Sequence, residues 1–349
     1  MTLLLAPGPM AVPQIVKDTF QNDPPYFASS EFSDLLEYIQ PELRCVFKSG
    51  HFPVLIGCGS GSLGLQSTIS NFFSPGAEVL VVSMGKYGDL WARMAVSHRL
   101  SVSVAAVPHP GMFVEPDHLK TLLTSKTRGV LITHTETTTG TTCPLEEYVK
   151  VIRENSDALI CVDAVSSLLT EPLVSSDCDV VISASQKALL LPPGMFFMMV
   201  SDKAAKILNE SAYDVYFQVC EELERNKKNI TTFTPPSFLI PALKVALDQI
   251  REKQGVDMIV SQTEIAAGFV QDRLELAGYK LVSNHPSNCV TAIWTKDCGR
   301  KLRLLSTQGI VVGDGVGHLK GEILRLAHMG WDLNRASVYH VCDLLSVLY

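Results

Sequence analysis

The chain has 349 residues, 46% hydrophobic and 19% charged, with 29 Lys and Arg against 36 Asp and Glu for a net charge of −7. That length and apolar content suit about two domains with a large core and exclude a disordered chain. Acids and bases are interspersed, with no basic stripe and no aromatic–basic interleaving, so nucleic acid is not expected as a partner.

In chain order, strand-like and helix-like segments alternate. "FPVLIGCGS" (52–60) reads as a strand running into a glycine-rich turn, and "LGLQSTISNFF" (63–73) has helical spacing before the stop at "SPGAE". The short apolar runs "EVLVVS" and "VSVAAV" follow, then a helical "DHLKTLLTS", then "RGVLITH". A helix over "PLEEYVKVIRENS" leads to "ALICVD", "CDVVISAS" and "MFFMMVS". Runs of four to six apolar residues bounded by turn signals are the signature of strands buried on both faces, and the interleaved helices suit right-handed crossovers. The basic stretch "ERNKKN" (224–229) lies between helical patterns and reads as a solvated face. After "FTPPSFLIP" the pattern changes: two long helical segments (242–255 and 258–278) precede the strands "VTAIW", "GIVVGD" and "ILRLAHM" and a final helix from Asn334. The expected organisation is an N-terminal arm (1–15), a large α/β domain with a mostly parallel sheet (16–240) and a smaller α+β domain (241–349).

Nine cysteines form no CxxC pair, and Cys143, Cys161 and Cys178 fit no zinc-ligand spacing, so no metal is expected. Cys161 in "ALICVD" reads as a small hydrophobe, and the set as reduced thiols in a reducing compartment. "MTLLLAPGP" lacks a basic n-region, and no run approaches the ~20 apolar residues of a membrane span. A cytoplasmic protein without membrane contact is the expectation.

One lysine stands out. In "SASQKALLLPPG" (183–194), Lys187 follows a strand-like run and precedes Pro192, Pro193 and Gly194, between two of the most apolar stretches. Asp163 ends "ALICVD" 24 residues earlier, about one crossover away. Ligands of parallel α/β sheets bind beyond the carboxyl ends of the strands, where Lys187, Asp163, "GCGSGSLG" (57–64) and "HTETTTG" (134–140) are all expected to lie. A lysine, a carboxylate and a phosphate cradle are what pyridoxal 5'-phosphate requires: a Schiff-base amine, a partner for the pyridine nitrogen, and N–H groups at a helix start. Tyr87 in "MGKYGDLW", on what reads as another loop after a strand, is a candidate to stack on the ring. Burial between apolar strands lowers the pKa of an amine, as a nucleophile needs. Gly59, Gly61 and Gly64, with Glu78 further on, also spell the dinucleotide fingerprint GxGxxG, but that reading leaves Asp163 and Lys187 unexplained.

The chain resembles the class V, fold type I pyridoxal-phosphate aminotransferases of the alanine–glyoxylate and serine–pyruvate group. The resemblance runs nearly end to end: "APGP" (6–9), "GCGS", "NFFSPGAEVLVVSMGKYGDLW", "HTETTTG", "VDAVSS", "SASQKALLLPPG", "FTPP" and "RLAHMG" (325–330) occur in family order. It implies a large, mostly parallel, seven-stranded-type sheet domain with a smaller α+β C-terminal domain. By the same resemblance, Lys187 would carry the cofactor and shuttle the substrate α-proton, Asp163 would pair with the pyridine nitrogen and Tyr87 would stack on the ring. Thr137 would bond near the phenolic oxygen. Cys58 (through its backbone), Gly59, Ser60 and Gln186 would hold the phosphate, with Thr234 reaching across from the second subunit of a homodimer. Arg325 would grip the substrate α-carboxylate in a bidentate pair.

The pattern departs from the family at Phe27 and Ala28, where many relatives carry a His-Arg pair, and the phosphate-loop helix lacks a common Glu. These changes touch the mouth of the site and so bear on the substrate. The expected activity is amino transfer from alanine or serine to glyoxylate or pyruvate. A 2-aminoethylphosphonate–pyruvate aminotransferase is the alternative within the class. A cysteine-desulfurase-type lyase would need a mobile cysteine, for which Cys298 in "TKDCGRK" is the candidate on an apparent loop. A binding protein without catalysis is undercut by the presence of both Lys187 and Asp163.

Overall fold

A computed structural model of the chain describes residues 2–208 and 216–348; Met1 of the expected arm, residues 209–215 of the expected large domain and Tyr349 of the expected final helix lie outside them. The chain opens with β1 (Leu3–Leu5), α1 (Gln14–Lys17) and α2 (Ser30–Phe47), then enters β2 (Val54–Gly59) and α3 (Gly61–Phe72). Next come β3 (Glu78–Ser83), α4 (Lys86–Ser97), β4 (Ser101–Ala106), α5 (Pro116–Leu122) and β5 (Thr127–Thr133). A small hairpin of β6 (Thr135–Glu136) and β7 (Thr141–Thr142) precedes α6 (Leu145–Asn155), β8 (Leu159–Asp163), β9 (Val180–Ala184) and β10 (Gly194–Val200). Helices α7 (Asp202–Lys206), α8 (Val219–Asn226), α9 (Leu239–Glu252) and α10 (Gly255–Leu276) follow. The chain ends with β11 (Lys280–Leu281), β12 (Val290–Trp294), α11 (Cys298–Thr307), β13 (Ile310–Asp314), β14 (Ile323–Ala327) and α12 (Arg335–Val347).

Seven strands form the main sheet in the order β2-β10-β9-β8-β5-β3-β4. β10 alone runs antiparallel to its neighbours, whereas β9, β8, β5, β3 and β4 pair in parallel. Every residue of β8 and β9 is buried, which is why their sequences read as unbroken apolar runs. β4 differs: it is an edge, with Ser101, Ser103, Val104 and Ala106 exposed, so its apolar run marks a half-covered strand.

The helix α3 lies close against this sheet, and glycine makes that approach feasible. A Cβ on Gly61 would sit 2.7 Å from Val165, and one on Gly64 would sit 2.8 Å from Ile182 and 2.9 Å from Phe196. Gly57 on β2 is tighter still, since its Cβ would fall 2.0 Å from Cζ of Phe196 across the β2–β10 pair.

The second sheet has the order β1-β13-β14-β12-β11. β1 comes from the N-terminal arm and pairs in parallel with β13, so the two ends of the chain meet in one small sheet. The sequence reading left out α2. Its Pro41 sits mid-helix, where proline removes an N–H and normally ends the element. The helix persists because Phe32, Leu36, Ile39, Leu43 and Phe47 bury one stripe in the main core, and because Ser29 caps its start by accepting Phe32 N–H at 3.2 Å. The basic stretch at the end of α8 is solvated, as read: Arg225 and Lys227 pair with Glu221 and Glu224 on the exposed face. All nine cysteines are free thiols, and among the described residues no helix is long and apolar enough to cross a membrane.

The overlap at Gly57 gives a direct test. Gly57→Ala is expected to lower unfolding stability by about 1–3 kcal/mol, since Phe196 is fully buried and has no room to swing away. Denaturant titration should show part of that loss recovered when Phe196→Leu is added; an unchanged midpoint for the single variant would contradict the packing described.

Candidate active site

Asp163 is the last residue of β8 and stands in register with Ile182 of β9. Lys187 lies three residues beyond the end of β9. Neighbouring parallel strands thus deliver a carboxylate and an amine to one carboxyl edge, and both line a cavity of about 100 Å³. The start of α3 closes it from another side through Ser60, Gly61 and Ser62. Ser60 caps this helix without a side-chain hydrogen bond, so leading N–H groups of α3 are free of intrahelical partners and carry the positive end of the helix dipole.

The lysine is held. Its Nζ donates to the carbonyl oxygen of Pro7 at 2.5 Å, and burial pulls its pKa down, opposed by the nearby Cys289 and Asp163. The arm approaches closely only because residue 8 is glycine: a Cβ there would sit 2.9 Å from Nζ, and its φ is +93°. Burial pushes the Asp163 carboxyl up to about 6, against the Val165 N–H, which its Oδ1 accepts at 3.0 Å. Glu136 adds to the rise and Lys187 opposes it. Gln186 also lines the cavity, and its buried Oε1 has no hydrogen-bond partner among the described residues.

Tyr87 lines the cavity too, from a place the sequence reading missed: it sits in the first turn of α4, not on a loop. Its phenol is raised by burial and then by Glu136, and the Thr137 side chain hydrogen-bonds it. Arg325 projects from β14, half-buried; its Nε donates to the Asp314 carbonyl at 2.8 Å and its Nη1 to the Thr137 carbonyl at 3.0 Å. The partner that a guanidinium in an apolar strand requires is therefore supplied by backbone carbonyls.

Not every anticipated residue gathers here. Cys58 is exposed and lines a separate groove with Thr234 and Tyr216, while Gly59 (φ +148°) forms the bend from β2 into α3. Cys58, Gly59, Thr137, Thr234 and Arg325 are not among the described residues that line the Lys187 cavity. Two alternatives lose their footing. Glu78 starts β3 instead of ending it, at the opposite edge of the sheet from the glycine turn, where it cannot serve as the acid of a dinucleotide site. Cys298 is no loop residue: it is buried at the first position of α11, close to Asp314 and the Ile323 carbonyl, and burial pushes its thiol up to about 12. Such a thiol is inert, not a mobile nucleophile.

Sequence reasoning also overlooked two groups. The Pro7 carbonyl belongs to "APGP", where Gly8 was the available signal of close approach. Glu136 is wholly buried, accepting from Tyr87 N–H at 2.9 Å, Thr138 N–H at 3.0 Å and the Thr138 hydroxyl at 2.6 Å; a lone glutamate among threonines after a buried strand was its trace.

A desolvated lysine beside a carboxylate and a helix start with unpaired N–H groups are a set that fits pyridoxal phosphate. Sheet and site together define a fold type I pyridoxal-phosphate-dependent transferase. The chain belongs to the aminotransferase class-V family, whose profile matches residues 36–343. A soluble hydrogenase small subunit of Synechococcus sp. is 29% identical over 99% of this chain and 92% of its own length. An uncharacterized aminotransferase of Methanocaldococcus jannaschii is 31% identical over 94% of this chain and 88% of its own. The solved alanine–glyoxylate aminotransferase of Nostoc sp. superposes with a TM-score of 0.92 at 27% identity, covering 99% of this chain and 94% of that one.

The Asp163 shift has a definite sign. A carboxyl raised to about 6 from an ordinary 3.8 binds its proton more tightly when folded, so the cofactor-free protein loses stability as pH climbs through that interval. Cofactor-free Asp163→Asn is therefore expected to outlast the parent by about 2–3 kcal/mol above pH ~6, an advantage that disappears near pH ~4. Unfolding curves collected across that range check it, and parallel profiles for the two proteins would refute the shift.

Proposed function

We propose that this chain, an aminotransferase, binds pyridoxal 5'-phosphate at Lys187 and moves an amino group from a small amino acid, alanine or serine, to glyoxylate or pyruvate. The observation that carries the reading is the buried Lys187 amine, lining one cavity with Asp163 and the start of α3. When bound, the cofactor supplies an aldehyde that condenses with amines and a ring that draws electrons away from the substrate α-carbon.

The chain's own groups divide the work. Burial favours the neutral Lys187 amine, which can bond covalently and then take and return the proton of the α-carbon at Nζ. Asp163 would hold the proton of the pyridine nitrogen. The first turn of α3, with Ser60 and Gln186, would receive the phosphate. Tyr87 would cover the ring, and Thr137 would stand by its oxygen. Arg325, with two of its N–H donors engaged by carbonyls, keeps others for the α-carboxylate that all these substrates share. Beyond Lys187, whose neutral amine burial favours, no described residue lining the cavity is cationic, and Arg325 is assigned to the α-carboxylate, which favours donors with a small neutral side chain over a phosphonate. The likeness to an alanine–glyoxylate aminotransferase supports the same choice.

The assembly we propose is a homodimer with shared sites, in which Thr234, exposed here beside Cys58, serves the phosphate of the partner's cofactor. Residues 16–240 form the cofactor domain and 241–349 the smaller one, with the arm of residues 1–15 bridging them: β1 joins β13 while Pro7 meets Lys187. A cytoplasmic location fits the free thiols.

The test is the visible absorbance of the purified protein before and after L-alanine. A cofactor band that shifts on alanine addition supports donor and chemistry together; no band even with added pyridoxal phosphate sinks the reading. Lys187→Ala is expected to abolish turnover. Arg325→Lys, which loses the planar fork, is expected to raise KM for the amino donor by about tenfold or more, with a smaller change in cofactor affinity. An active Lys187→Ala, or an unchanged KM in Arg325→Lys, would remove the assigned role.

A further inference from the structure

The start of α4 is built in an unusual way. The N-cap of a helix ordinarily supplies a side-chain oxygen to the N–H of the second or third helical residue. Here the N-cap is Gly85, which has no side chain to give. The N–H of Tyr87, the second residue of the helix, instead donates at 2.9 Å to Oε2 of Glu136, which arrives from β6 across 49 residues of chain. Glycine at 85 is required by that arrangement: its φ is +156°, and a Cβ would lie 3.0 Å from Cγ of Glu136.

The other carboxylate oxygen of Glu136 is committed as well, accepting both the N–H and the hydroxyl of Thr138. Between these anchors lies Thr137, whose side chain hydrogen-bonds Tyr87 and whose carbonyl accepts Nη1 of Arg325. One buried carboxylate thus spans the aromatic wall of the cavity and the strand turn against which the guanidinium rests. Removing it would free the Tyr87 amide, the Thr138 amide and the Thr138 hydroxyl at once.

We propose that Glu136 is a positioning residue: it caps α4 from the neighbouring hairpin and thereby sets Tyr87, which lines the active-site cavity, and Arg325 in fixed relation to each other. It does not line the cavity and acts through those two side chains. This rests on the aminotransferase reading for its kinetic consequence, but the tether itself does not.

The test uses Glu136→Gln, which keeps the shape and one oxygen acceptor, and Gly85→Ala, which retains the carboxylate but crowds it aside. Thr142→Val is the control, a buried hydroxyl of the same hairpin bonded to Thr135 and the His134 carbonyl but to neither Tyr87 nor Arg325. Deuterium uptake over residues 84–91 in cofactor-free protein reads the cap directly. It is expected to quicken in Glu136→Gln and Gly85→Ala and not in Thr142→Val; unchanged uptake in Glu136→Gln overturns the proposal whatever the protein catalyses. In the holoenzyme both variants are expected to raise KM for L-alanine and the dissociation constant of pyridoxal phosphate by about tenfold, the effect of losing one charge-assisted hydrogen bond. Losses in kcat alone, or losses no larger than those of Thr142→Val, would make Glu136 merely structural. A parent protein that binds no cofactor would fell the functional reading and leave the uptake comparison to judge the tether.

Discussion

Everything around the site answers to one constraint, the removal of the Lys187 amine from water. A lysine so placed loses its hydration and must be given a polar partner without being given so strong a counter-charge that it stays protonated. The carbonyl of Pro7 meets both demands: it accepts a hydrogen and carries no net charge. That single contact explains why an N-terminal arm crosses to the main sheet at all. The arm is fastened on either side of Pro7, by β1 pairing with β13 and by the Met10 N–H donating to the Gln186 carbonyl at 3.0 Å. Glycines are placed where the arm must come close: Gly8 against the lysine, and Gly313 of β13, whose Cβ would fall 2.7 Å from the ring of Pro7. On the far side, Trp331 donates its indole N–H to the Leu189 carbonyl at 2.9 Å, so the turn carrying Lys187 is gripped by both ends of the chain.

The charges nearby follow from the same desolvation. Asp163 and Glu136 are both buried, and burial raises both carboxyls, with Glu136 adding to the rise of Asp163. Lys187 and Arg325 are drawn down by the same loss of water. Two acids and two bases are thus brought together with each charged form weakened, a costly arrangement for stability and a useful one for proton transfer. A fold selected for stability alone would replace such groups by apolar ones of equal volume. Their presence is a stronger pointer to catalysis than any one residue among them.

Much of this was legible in the chain. The strands β3, β5, β8, β9 and β10 are buried on both faces and announce themselves as unbroken apolar runs, and from their ends the meeting of Asp163 and Lys187 follows by topology. What escaped was whatever depends on a partner distant in sequence. α2 carries a proline that local propensity counts against, and it holds because its apolar stripe packs on α9 and the main core. β1 is three residues long and exists only by pairing with β13. Tyr87 looked like a loop residue because the helix it opens has a glycine at its cap, and the capping oxygen belongs to Glu136. Arg325 looked short of a partner because backbone carbonyls leave no mark in a sequence.

The glycine-rich turn shows how far a local pattern can carry an inference. Gly59, Gly61 and Gly64 match a dinucleotide fingerprint letter for letter, yet each is accounted for by packing. Gly59 bends the chain at φ +148°, Gly61 clears Val165, and Gly64 clears Ile182 and Phe196. Any fold that lays a helix start this close to a sheet edge, with its N–H groups facing an anion, will select glycine at the same intervals, whatever the anion belongs to. The discrimination lies elsewhere. A dinucleotide site needs an acid at the carboxyl end of the next strand, and Glu78 is at the wrong end of β3. A pyridoxal phosphate site needs an amine and a carboxylate on adjacent strands facing the same cavity, and β8 and β9 deliver them through Asp163 and the turn at Lys187.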